Sequence, residues 1–317
     1  MARPIVQIGG GIVHADAHGA ATLIAAMAAA DAGCAFVLDL RELVDPAQPF
    51  GCGPAGSEAF RTSLYLTIAA AQRAQRCLFG TKLLYEALAG GGVSVDRIEL
   101  VPDLVEPVEM PLRRDAALAD SLGLEDAQVF GFAGSLHAMA GLDGLVNILD
   151  RLRDSHPHLR LLLAGGGRVS RQTRDAIAAL GLSSRAVIVE NLDAGRVAAC
   201  QSLIDVAAFP LATGIESALL SPRDIIAALG HGRAVVASRT RNAQEFITDG
   251  HNGLLREPRP DGGFPQAIVR LLGDPDLRGR IGAAALSGIA ARTSPAAIGA
   301  QLDRTYRALF QDFSGLA

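Results

Sequence analysis

The sequence predicts an α/β fold built as two parallel, doubly wound sheets, and three observations predict it. Short, branched, uncharged runs alternate with helix-forming segments along most of the 317 residues, the pattern of strands covered on both faces by crossover helices. The alternation breaks once, at residues 106–114 (EPVEMPLRR), whose prolines mark an interdomain linker. Glycines cluster where strands end and helices begin, at 9–11, 134 and 165–167, as strand-to-helix turns require.

In chain order, residues 4–8 (PIVQI) read as a short buried strand entering the triple glycine. Residues 12–19 read as a small polar passage holding His14, Asp16 and His18, 20–32 as an alanine-rich helix, and 34–40 (CAFVLDL) as a second strand. The triple glycine lacks the spacing G-x-G-x-x-G, so a plain strand-to-helix turn is favoured there over nucleotide binding. A Pro/Gly-rich loop at 45–56 follows, then a helix at 57–75, a strand at 76–80, a helix at 82–89 and a strand at 97–102.

Past the linker, residues 129–133 (VFGFA) open a second sheet and run into Gly134, Ser135 and Leu136. Next come a helix at 142–154, a strand at 159–164, a helix at 171–180, a strand at 186–190, a helix at 194–202 and a strand at 206–209. The stretch 221–255 carries the clearest signals. Ser221 is placed as N-cap and Pro222 at the first helical position, where its missing N–H costs nothing. Ile225, Ile226 and Leu229 give that helix an apolar face, and Gly230 and Gly232 end it. Residues 234–237 (AVVA) form a buried strand, Glu245 follows in a polar segment, and Asp249-Gly250 and Asn252-Gly253 turn the chain. Helices at 264–272 and 300–310 complete the reading.

Composition bounds the function. Half of the residues are hydrophobic and a fifth charged, enough to core two domains, while aromatics are 4% and Trp is absent, so Ala, Leu, Val and Ile must fill the interior. A net charge of −4 with no basic block argues against a nucleic-acid partner. Cys34, Cys52, Cys77 and Cys200 lie far apart without metal spacing and read as reduced, buried thiols of a cytoplasmic protein. The chain shows no signal-peptide pattern and no apolar run of the ~20 residues that a membrane helix needs.

The stretch 221–255 also carries a resemblance. Ser221, Pro222, Gly232, Val235, Val236, Ala237, Ser238, Glu245, Ile247, Asp249, Gly250, Asn252 and Gly253 match the donor-side pattern S-P-x-K…G-x-P-V-V-A-S…E-x-I-x-D-G-x-N-G. The chain therefore resembles the retaining, nucleotide-sugar-dependent glycosyltransferases of family 4, which have the GT-B fold of two Rossmann-like domains. The resemblance implies an acceptor-side domain at 1–112, a donor-binding domain at 113–299 and a helix at 300–317 crossing back to the first domain. Family members carry an extra strand–glycine loop–helix–strand region in the first domain. Here the first domain is too short to hold it and is read as truncated, exposing a sheet edge and apolar surface, to be covered by a second copy or a partner protein.

For the site, the resemblance implies Gly134 and Ser135 beside the donor diphosphate, with Gly165 and Gly167 in the next turn. Glu190 and Asn191 would meet the base, and Ser221 and Glu245 would line the donor pocket. Glu216 and Asp224, spaced E-x7-D, and His137 are the catalytic candidates. The nucleotide sugar would be substrate, with no metal and no further cofactor, and the acceptor is left open. Three expected groups differ: Ser135 stands for an arginine, Ala140 for a lysine, and Arg41 for the histidine of the first domain. Asp224 stands for the lysine of S-P-x-K, and Ala227 for an acid. The implied activity is sugar transfer in polysaccharide or glycoconjugate synthesis, slowed by the missing cations. The other reading is a catalytically inactive relative serving as scaffold or regulatory partner.

Overall fold

The computed structural model describes residues 11–43, 57–105, 108, 110–137, 140–211, 221–257 and 263–314, with side chains up to Gln311. The strand expected at 4–8, the loop at 45–56, Cys52 and Glu216 lie outside these residues. The chain divides into two compact units, Met1–Leu104 with Ala218–Ser221 and Arg292–Ala317, and Val105–Ser217 with Pro222–Ala291.

The first unit holds β1 (Ile12–Asp16), α1 (Ala20–Asp31), β2 (Ala35–Leu40), α2 (Glu58–Ala71), β3 (Arg76–Phe79), α3 (Lys82–Gly90) and β4 (Ile98–Leu100). Its strands pair in parallel in the order β1-β2-β3-β4. Ser57 caps α2 and Thr81 caps α3, each side chain accepting a backbone N–H three residues on. β1 corrects the polar passage expected at 12–19. It pairs along its whole length with β2, from Ile12↔Ala35 to Asp16↔Asp39, because the polar residue at its centre, His14, finds Asp39 and Tyr306 as partners. β1 is half-exposed along its length and His14 is exposed, so a polar residue at its centre is tolerated.

The second unit begins with a short helix that the sequence reading missed, α4 (Ala116–Ser121), capped by Asp115. It continues through β5 (Gln128–Leu136), α5 (Leu142–Leu152), β6 (Leu159–Gly167), α6 (Arg171–Ala179), β7 (Ala186–Val189), α7 (Ala194–Ser202), β8 (Val206–Phe209), α8 (Arg223–Gly230), β9 (Ala234–Ser238), α9 (Arg241–Gln244), β10 (Leu254–Arg256) and α10 (Phe264–Gly273). All six strands are parallel, in the order β10-β9-β8-β5-β6-β7. Counted from β5, that is 6-5-4-1-2-3, the doubly wound order whose strand order reverses between its first and fourth strands. The core is the expected one of small and branched residues, with Phe130, Phe132 and Phe209 at its centre.

Two long helices follow, α11 (Pro275–Thr293) and α12 (Pro295–Ser314). α11 was missed because Gly279, Gly282 and Gly288 interrupt its helix-forming run. α12 packs Ile298, Leu302, Tyr306 and Leu309 against Ile12, Val37, Leu78 and Val101 of the first sheet.

Candidate functional site

Between β5 and β8 the chain order reverses, and the two strands pair only at Phe130↔Val206 and Gly131↔Ala207. β5 stays paired with β6 as far as Leu136↔Gly167. The carboxyl end of β5 therefore parts from β8 and faces the crevice that opens at such a reversal point, the usual ligand position in an open α/β sheet. Gly134 and Ser135 lie on this part of β5, inside the strand and not in a loop after it.

Gly134 has its closest neighbour in Asp224, the second residue of α8. A Cβ at Gly134 would stand 2.4 Å from the Asp224 carboxyl carbon, and the Ser135 N–H donates to Asp224 Oδ2 at 3.1 Å. Gly165, paired with Gly134 across β5–β6, is needed for a different reason: a Cβ there would lie 1.7 Å from the Gly134 carbonyl oxygen. Gly167 ends β6 opposite Leu136. These residues pack the strand ends against the chain's own atoms.

Glu190 and Asn191 follow β7. The Glu190 carboxylate accepts the Val169 N–H at 2.7 Å and pairs with Arg174 at 2.6 Å. Burial alone would raise its pKa, but the Val169 and Arg174 bonds outweigh burial and hold it below the ordinary value. Asn191 takes a left-handed backbone, φ 54°, and donates its N–H to the Gly167 carbonyl, so this pair ties the end of β7 to the end of β6.

His137, a catalytic candidate from the resemblance, is half-buried just beyond β5, and burial lowers its pKa, which favours the neutral imidazole. Ala140, the position where the resemblance places a lysine, is 1% exposed and packs in the core.

Ser221 does not cap α8. Pro222 occupies the N-cap position without a side-chain bond, and the Ser221 hydroxyl instead donates to the Asp103 carboxylate. Asp103 belongs to a polar cluster of the first unit. Arg41 holds Asp39 through Nε at 2.6 Å and Nη2 at 2.8 Å, donates Nη1 to the Val101 carbonyl at 2.6 Å, and lies 3.9 Å from Asp103. His14 stands between the Asp39 carboxylate, 3.3 Å away, and the Tyr306 hydroxyl, 2.5 Å away. Burial would raise the Asp39 pKa, yet the bonds to His14 and Arg41 bring it below the usual value. Sequence reading saw Arg41 only as a replaced histidine; the cluster needs the pairing of His14 with Asp39 across β1–β2, which spacing does not reveal.

Glu245 is half-buried at the end of α9. The structure thus brings Gly134, Ser135, Gly165 and Asp224 together at the end of β5 and joins Glu190 and Asn191 to the β6 end. Among the described residues no cluster of three or more His, Cys, Asp or Glu could hold a metal ion, and no helix is long and apolar enough to cross a membrane.

Comparison with known proteins gives this arrangement a relationship. Residues 127–274, which include all six strands of the second sheet, match the family model described as Glycosyl transferases group 1. The chain is 27% identical over 201 residues to the D-inositol 3-phosphate glycosyltransferase of Stackebrandtia nassauensis, covering 60% of this chain and 44% of the relative. It is 26% identical over 208 residues to the alpha-D-kanosaminyltransferase of Streptomyces kanamyceticus, covering 66% and 52%. The chain spans about half the length of the curated relatives it matches. Among solved structures, Anabaena HepE in complex with UDP-glucose superposes with a TM-score of 0.76 at 18% identity, covering 94% of this chain and 78% of that one. Sucrose-phosphate synthase of Thermosynechococcus elongatus superposes with a TM-score of 0.73 at 20% identity, covering 95% and 74%. Residues 127–274 are thus similar to glycosyl transferases group 1, and the chain has the α/β fold with parallel sheets seen in HepE and sucrose-phosphate synthase.

Proposed function

We propose that the second unit binds the diphosphate of a nucleotide sugar at the carboxyl ends of β5 and β8, and that the chain transfers the sugar slowly to an acceptor. The carrying observation is that the glycosyl transferases group 1 match spans the whole sheet whose reversal point opens at Gly134 and Ser135. HepE, similar in fold, is known in complex with UDP-glucose, which supports a nucleoside diphosphate as the ligand class. Backbone N–H groups and a helix N-terminus contribute ~1–2 kcal/mol near a phosphate, roughly a five- to thirty-fold gain on top of the nucleoside's own contacts, so binding is weak. Transfer is slow because charge building on the leaving diphosphate meets Ser135 and the core-packed Ala140, and neither is a cation. The exposed Ile24 and Met27 of α1 and Tyr65 of α2 support self-association through the first unit, which sedimentation velocity would read directly.

Calorimetry with UDP, GDP and ADP, paired with an assay for nucleoside diphosphate release from the matching sugar nucleotides, tests the proposal. Weak binding of at least one nucleoside diphosphate and slow release from its glucose conjugate are expected. Failure of every nucleoside diphosphate to bind would reject the donor site; binding without any release would reject transfer and leave a silent binding module.

A further inference from the structure

Asp224 sits where the ligand's own charge would sit. Its Oδ2 accepts the Ser135 N–H at 3.1 Å, and its carboxylate lies flat over the Cα of Gly134, with Cγ 2.4 Å, Oδ1 2.5 Å and Oδ2 2.7 Å from the place of a Cβ. Gly134 and Ser135 belong to the stretch of β5 that has already left β8, so the carboxylate occupies the sheet's reversal point. It also stands in the first turn of α8, where the unpaired N–H groups of a helix stabilise an anion. A backbone N–H beside a glycine at the carboxyl end of a parallel strand is what a phosphate oxygen would otherwise use. This chain supplies an anion of its own to that amide.

We propose that Asp224 is a specificity-determining residue: its carboxylate competes with a phosphate for the Ser135 N–H and disfavours a second negative charge at the end of β5. This inference rests on the donor-site reading above. A nucleoside diphosphate then binds only by displacing the carboxylate, while an uncharged nucleoside meets no such penalty. Asp224→Asn keeps the shape and the acceptor and removes the charge. Asp224→Ala removes both.

The test titrates the full chain and both variants with UDP, GDP, ADP, their nucleosides and inorganic pyrophosphate, at fixed ionic strength and without divalent cations. Melting temperatures of the three forms show that the variants are folded, and Asp224→Asn, nearly isosteric, carries the result if Asp224→Ala does not fold. Binding of the preferred nucleoside diphosphate, and of pyrophosphate, tightens on the order of tenfold in Asp224→Asn and further in Asp224→Ala, the size expected when a charge-assisted competitor is removed. Nucleoside affinity stays the same. Unchanged or weaker diphosphate binding in both variants, with the unmodified chain binding, would overturn the role of Asp224 and leave the donor site standing. Absence of diphosphate binding in all three forms overturns the donor site and this inference with it.

Discussion

Replacing Gly165 by alanine tests the packing that holds the end of β5 in place. The added Cβ would stand 1.7 Å from the Gly134 carbonyl oxygen, about 1.5–2 Å short of ordinary contact. The obstructing atom is backbone, inside a ladder where Gly134 and Gly165 face each other, so no side chain can rotate away. Either β5 and β6 separate or the strand end peels off. Overpacking of this kind costs about 1–3 kcal/mol, and one or two ladder hydrogen bonds add about 1 kcal/mol each. The expected loss is roughly 2–5 kcal/mol, a large share of an ordinary domain's stability. Gly134→Ala is the control, because the atoms in its way belong to the Asp224 side chain, which can turn at the expense of the Ser135 bond, about 1–2 kcal/mol. The chain has no Trp, so urea unfolding is followed by circular dichroism, with hydrogen exchange of β5 and β6 peptides to localise the loss. Asp224→Ala should relieve Gly134→Ala and leave Gly165→Ala unimproved. A Gly165→Ala protein within ~1 kcal/mol of the parent, or no weaker than Gly134→Ala, would refute the packing argument.

Three further outcomes follow from individual residues. Arg41→Gln removes the main cation beside Asp39, which is 8% exposed, and should cost roughly 2–3 kcal/mol in urea unfolding. Because the native Asp39 pKa lies below its unfolded value, the stability it contributes is complete above ~pH 4 and lost as pH falls through the native value; Arg41→Gln should shrink that acid-side loss, and an unchanged pH profile would count against the cluster. Burial pushes the Cys77 thiol up to about 12, so it should resist a thiol reagent at pH 8 in the native protein and react only on unfolding, whereas labelling at the rate of a free thiol would contradict the first unit's core. Ser135→Arg should tighten diphosphate binding several-fold, while Ala140→Lys, forced into a core position 1% exposed, should instead lower stability by about 2–4 kcal/mol, an ordering that calorimetry and thermal melts decide.

The alternation of strands and helices was legible because a covered parallel strand tolerates few polar residues, so runs such as AVVA stand out between glycines. Legibility failed where tertiary partners override local pattern. β1 looked like polar loop because His14 sits at its centre, but this strand is half-exposed and His14 finds Asp39 on β2 and Tyr306 on α12 as partners. α11 was hidden by its glycines, and α4 by its shortness. Ser221 has the sequence of an N-cap, yet its hydroxyl is taken by Asp103, 118 positions away in the chain. For Ser221 and His14 the partners are long-range, and propensity is blind to them.

At the site, sequence spacing identifies which residue stands at a position but not which way it faces. Read against the family pattern that the sequence resembles, Ser135, Ala140 and Asp224 are three places where a cation is missing, three equal subtractions from one charge balance. In the structure they are unequal. Ser135 offers a backbone N–H at the reversal point, so a cation could be added there; Ala140 is in the core, where a cation would disrupt packing. Asp224 puts an anion on the very amide that a phosphate would use, so it reverses the local charge instead of merely lowering it. The two effects separate experimentally. Absent cations weaken every phosphate-bearing ligand and are relieved only by adding charge, as in Ser135→Arg. A competing carboxylate is relieved by removing charge, as in Asp224→Asn, and the combination of both variants should then exceed either one, since one change adds an attraction and the other removes a competitor at the same amide.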